Sequence, residues 1–209
     1  MPFAYQIADL GRQWSVLVHS RMLTYAHILD LDTKFRALLS SLPIFLRPDP
    51  TLEQLPEVRQ EQAQRPYLAM HRLIVFEAVN QRLLVLHRDD MCRGHHDEKF
   101  AYSTRVAVDA ARTILSCRQQ IDNVHPAVQK HAAFRHHLFQ AAIVLSIHLL
   151  ELSHKAQGES QVAHQLRDDI ALIMNYLYGS NNLRTSLPVP QKIALKLIEM
   201  LLAEAHERQ

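Results

Sequence analysis

AAFRHHLFQAAIVLSIHLLEL, residues 132–152, decides the fold class. Wound at 3.6 residues per turn, it carries apolar side chains nearly all round, among them Phe134, Leu138, Phe139, Ile143, Val144, Leu145, Ile147 and Leu149. A helix of that kind belongs at the centre of a helical array. It is not a membrane span. Arg135, His136, His137 and His148 interrupt it, and each central charge would cost about 2.5–3.5 kcal/mol in a bilayer.

Working outward, Pro126 opens this helix and Gly158 stops it, giving limits of about 126–155. Apolar residues at a 3–4 spacing predict further helices over 5–27, 32–40, 66–88, 103–121 and 159–178, with a last one from Pro188 or Pro190 to about 206. Residues 43–64 hold four prolines and read as a long Pro-rich connection, with one helical turn near 57–63. Residues 89–99 read as a polar loop. The chain has four glycines in 209 residues, where average usage would give about 14. So few glycines disfavour hairpins, sandwiches and barrels. Gly94, Gly158 and Gly179 fall in breaks between helices, where a left-handed cap is expected. No strand alternation or internal repeat competes. The expectation is all-α: a single domain over 1–209 of about seven helices packed around the helix at 126–155.

Charge and cysteine content exclude several functions. Lys and Arg number 23 against 21 Asp and Glu, a net +2, and no basic run exceeds two residues. Direct nucleic-acid binding by this chain is therefore not expected. Cys92 and Cys117 cannot frame a disulfide scaffold, and reduced thiols are expected. The N-terminus shows no basic region followed by an apolar run, so neither a signal peptide nor a membrane anchor is expected.

Histidine is abundant, with 14 copies. His136 and His137 stand 12 and 11 residues from His148, more than roughly 16 Å along a helix axis, and cannot share an ion. Glu151 and His154 have an i, i+3 spacing used in di-metal bundles, but no second Glu-x-x-His accompanies them. No metal site is expected. Asp89, Asp90, Asp97 and Glu98 flank His95 and His96 in the predicted loop. Four such carboxylates at a helix end could hold Mg²⁺ and a diphosphate, with Asp168, Asp169 and Asn175 opposite. Acidic residues solvated in an exposed loop are the plainer reading. Gly-x-Ser-x-Gly and Gly-rich phosphate loops are absent.

Arg72, Phe76, Val79, Leu83 and His87 form one helical stripe. A guanidinium on an apolar stripe needs a partner. Either it pairs with a carboxylate such as Asp30 or Asp32, or Arg72 and His87 line a pocket for an anionic ligand.

Other segments carry a family resemblance. Ile28-Leu29-Asp30-Leu31-Asp32, Ser41-Leu42-Pro43 and Leu46-Arg47 lead into Pro66-Tyr67-Leu68 and Arg72. Asn80-Gln81-Arg82-Leu83-Leu84-Val85-Leu86-His87-Arg88, Phe100-Ala101-Tyr102-Ser103 and Ala110-Ala111-Arg112-Thr113-Ile114-Leu115 follow in order. Together they resemble the second half of the middle homology region, the regulatory domain of fungal zinc-cluster transcription factors. Two departures stand out. Asp89-Asp90 replaces the usual Pro and aromatic after Leu-His-Arg, and Ala107 stands where a cysteine is common. The six-cysteine DNA-binding cluster is missing, which implies a fragment of a regulator or a stand-alone descendant.

The resemblance implies a nuclear regulatory body that senses a small-molecule effector or a protein partner, with no cofactor, and a homodimer is compatible with it. Arg72 and His87 would give a pocket its polarity, while Arg82, Arg88 and Arg112 would serve structural pairing. The alternative is a cytoplasmic, stand-alone biosynthetic enzyme, acid–base or Mg²⁺-dependent and of terpenoid-cyclase type, using the residues between Asp89 and Glu98.

Overall fold

The computed structural model describes residues 2–49, 51–124, 132–154, 161–178 and 189–207, and every regular element among them is helical. The α-helices are α1 (Pro2–His19), α2 (Tyr25–Ser41), α3 (Pro56–Gln64), α4 (Tyr67–Gly94), α5 (Ala101–Val124), α6 (Ala132–His154), α7 (Gln161–Tyr178) and α8 (Val189–Glu207). Single 3-10 turns lie at Ile44–Leu46, Leu52–Gln54 and Glu98–Phe100. One main core joins them into a single all-α domain. None of these helices is long and apolar enough to cross a membrane.

Helix α6 takes the central place its composition predicts, packing on α4, α5, α7 and α8. Ala141, Ala142, Leu145 and Leu149 on it are fully buried. Helices α4 and α5 form a hairpin, α1 and α2 pack on α4, and α7 and α8 pack on α6. Pro126, Lys155, Gly158, Gly179 and Pro188, expected at the ends of α6, α7 and α8, lie outside the described residues.

Several boundaries differ from the sequence expectation, each for a local reason. The stretch 5–27 is broken, not continuous. The amides of Arg21 and Met22 bond back to Val18 and Leu17 at 3.1 and 3.0 Å, with Arg21 at φ 56°. That is a Schellman stop using arginine where glycine is usual. Thr24 then opens α2 with a capping box to His27, so α2 starts seven residues before the predicted Asp32. The connection at 43–64 is more ordered than its prolines suggest, since Pro56 occupies the first turn of α3.

The predicted loop at 89–99 is largely helix, because α4 continues to Gly94. Gly94 has no positive φ, contrary to the expected left-handed cap. Its missing side chain serves a close approach instead: a Cβ there would overlap the Thr104 hydroxyl and the Phe100 carbonyl. Thr104 uses that proximity to donate to the Met91 carbonyl at 2.8 Å, locking the α4–α5 corner.

Candidate functional site

Three segments distant in sequence meet inside the α2–α4–α5 junction. Asp32 on α2, His87 on α4 and Ser103 on α5 are buried, the last two completely. His87 places Nε2 3.2 Å from Asp32 Oδ1 and Nδ1 2.9 Å from the Ser103 hydroxyl. Ser103 lies 3.2 Å from the hydroxyl of Tyr25. Tyr102 donates to the other Asp32 oxygen at 2.8 Å, and Arg36 Nε donates to the same oxygen at 2.9 Å.

An ionised carboxylate only accepts, so the ring nitrogen facing Asp32 carries hydrogen. The Ser103 hydroxyl, which meets His87 Nδ1 on one side, donates to the Tyr25 oxygen on the other. Burial by itself pushes the Asp32 carboxyl up. Hydrogen bonds from His87, Arg36 and Tyr102 more than reverse that and hold it at about 2. Burial, then the Asp32 carboxylate, raises the Tyr102 phenol.

Ser, His and Asp also make up the triad of many hydrolases, but nucleophilic work needs access to substrate. Neither Ser103 nor His87 exposes any surface. The trio joins three helices and conveys polarity to Tyr25.

Tyr25 is only half-buried, and its ring faces a cavity of about 440 Å³. Rings of Trp14, Tyr25 and Phe100 stand at its wall, Ile28 and Leu86 at its apolar floor. Tyr25 and Phe100 pack edge-to-face with centroids 4.7 Å apart. Leu23 and Thr24 also line it, and Asp89, Asp90, Arg93 and Lys99 add charge to the lining. The Arg93 guanidinium lies 3.7 Å over the Phe100 ring and donates to Asp90 at 2.8 Å.

The residues expected to carry function are only partly brought together. Arg72 is buried, as its stripe implies, but its partner is Glu53 at 2.8 Å, not Asp30 or Asp32. The 3-10 turn inside the Pro-rich connection supplies that carboxylate. Asp30 pairs with Lys34 on the surface at 2.7 Å. Arg72 and His87 do not share a pocket, being 15 residues apart on α4, roughly 22 Å along its axis.

Arg112 makes a cross-helix pair with Asp169 at 2.9 Å. Among the described residues Arg88 pairs with its neighbour Asp89, at 3.2 Å. Arg82 makes no ion pair among the described residues, and a Cβ at Gly11 would stand 3.4 Å from its guanidinium carbon.

The carboxylates between Asp89 and Glu98 do not converge. Asp89 and Asp90 face the cavity from α4, Asp97 caps the Lys99 amide at 3.0 Å, and Glu98 is exposed. His95 and His96 turn the other way, toward His148 and Glu151 on α6, at 3.2 and 3.3 Å. Asp168 and Asn175 are exposed on α7. Among the described residues no group of three or more His, Cys, Asp or Glu side chains is placed to hold a metal ion.

Sequence reasoning missed Trp14, Tyr25, Arg93, Lys99 and Phe100 at the cavity, and Ser103 as the third member of the network. The signal available for Ser103 was a polar residue heading the apolar face of a helix. It also missed a second polar centre: Glu77 on α4 is buried and bonds His137 of α6 at 2.9 Å, with Arg118 of α5 close by.

An all-α body with a buried polar relay opening on a lateral cavity is the class of protein that fold and site define. Comparison with known proteins adds a direction. The chain is similar to a protein of Aspergillus flavus named probable transcription factor lepB, 26% identical over 131 residues, 61% of this chain and 23% of that protein. It is also similar to the agnestins biosynthesis cluster transcription factor AgnL11 of Paecilomyces divaricatus, 27% identical over 146 residues, 69% of this chain and 20% of that one. The chain thus spans less than a quarter of either relative. No family model matches it, and no solved structure does. Both relatives are named as transcription factors, and the likeness to this chain covers a part of each.

Proposed function

We propose that this chain is a helical regulatory domain in which the cavity beside Trp14, Tyr25 and Phe100 receives a small-molecule effector. One observation carries the reading: Tyr25 is at once a wall of the cavity and the outer end of the Tyr25–Ser103–His87–Asp32 chain. A ligand that shifts the Tyr25 ring changes the hydrogen bonds joining α2, α4 and α5. Regulation then needs only a ligand that prefers one arrangement of that junction. DNA contact belongs to another part of such a regulator, since two cysteines cannot hold a binuclear zinc cluster. A nuclear location goes with this reading.

The test is a thermal-shift screen of small metabolites on the full chain, repeated on Trp14→Ala and Tyr25→Phe. Effectors raise the melting temperature of the parent. Trp14→Ala loses that rise, while Tyr25→Phe keeps binding and loses protection of α2 amides from hydrogen exchange. A screen without any stabilising compound, or one whose compounds act equally on Trp14→Ala, overturns the proposal.

A further inference from the structure

Resting on the effector pocket above, we infer that its ligand is an aromatic carboxylic acid. The apolar part of the cavity is built from rings, and about 440 Å³ suits a compact, drug-sized molecule. Charge at the rim fixes the rest. Asp89 accepts from Arg88 Nε at 3.2 Å and Asp90 from Arg93 at 2.8 Å, so both acids are engaged. Lys99 makes no ion pair among the described residues. Its ammonium stands 5.4 Å from the Phe100 ring centre. Arg93 uses one N–H on Asp90 and is largely exposed, which leaves other donors of its planar fork open.

An organic cation is the wrong occupant. The Phe100 face that would receive it already carries Arg93 and Lys99. A neutral ligand would gain no charge pairing from the Arg93 edge and Lys99. A carboxylate matches the fork geometry of arginine and adds the ammonium of Lys99 as a second partner. The attached ring then lies against Trp14 and Tyr25, in the offset or edge-on arrangements that aromatic pairs adopt.

Trp14 is the single tryptophan of the chain, so its emission reports on this cavity alone. Biphenyl carboxylate, carboxamide and methylamine are titrated into the full chain by calorimetry, with Trp14 emission as the marker of site. The acid is expected to bind at least tenfold more tightly than the amide, with the amine weakest. Lys99→Gln, an exposed change that leaves packing intact, is expected to remove most of that preference while amide binding persists. Arg93→Gln acts in the same direction. An amide or amine that binds as well as the acid overturns the ligand class and leaves the pocket standing. If none of the three perturbs Trp14, both the class and the pocket reading fall.

Discussion

Two carboxylates are buried to nearly the same degree, Asp32 at 3% exposure and Glu77 at 1%, and each faces a histidine from another helix. Their acidities move in opposite directions. Asp32 is held down at about 2, whereas burial pushes Glu77 above the usual carboxylate range. The difference is the number of donors. Asp32 receives His87, Arg36 and Tyr102 on its two oxygens. Glu77 receives His137 on one oxygen, and among the described residues the other has no hydrogen-bond partner. A buried charge is stabilising only when its lone pairs are answered. The α2–α4–α5 centre is therefore a fastening, and the α4–α6 centre is a tolerated cost.

Removing the fastening is the harshest test of that contrast. Asp32→Ala leaves the buried His87 and the partly buried Tyr102 without their acceptor, and a loss of about 3–5 kcal/mol is expected. Urea unfolding of the two chains measures it. A loss below about 1 kcal/mol would mean the network is decoration.

Acid titration is the next test, and its sign follows from the depressed value. Asp32 stabilises the fold fully above its ordinary 3.8 and loses that contribution as pH falls toward about 2. The advantage of the parent over Asp32→Asn should shrink by about 2 kcal/mol between pH 4 and pH 2. A constant difference across that window would show that folding does not lower the Asp32 carboxyl.

The contrast also marks what sequence could convey. Helix α6 was legible because an all-round apolar pattern has few physical explanations. The α1–α2 break was not, because the Schellman stop carries Arg21 and not glycine, while Gly94 serves contact and not a cap. Buried polarity was legible by residue type, since Arg72 and His87 sit on an apolar stripe. Partners were not. His87 meets Asp32 across 55 residues, and Arg72 found Glu53 in a connection that looked irregular. Helical periodicity tells which face is buried; it carries no information on what the neighbouring helix presents there.

The smallest effect is the most discriminating. Glu77 titrates above its ordinary 4.5 in the fold, so its ionisation weakens the native state as pH rises past that value. Glu77→Gln removes the charge, and its side-chain carbonyl can still accept from His137. The variant should therefore match the parent at neutral pH or exceed it, by less than about 1 kcal/mol, as satisfied neutral replacements of buried charges often do. Its margin should narrow toward pH 4, where the parent carboxyl is protonated as well. Cys117 supplies a second reading of the same charge. Burial, and then Glu77, pushes that thiol up to about 12, so Glu77→Gln should lower it in the folded chain, as read by thiolate ultraviolet absorbance against pH. If Glu77→Gln instead costs as much as Asp32→Asn, the nearby Arg118 is answering the carboxylate as fully as three donors answer Asp32, and the two centres are alike.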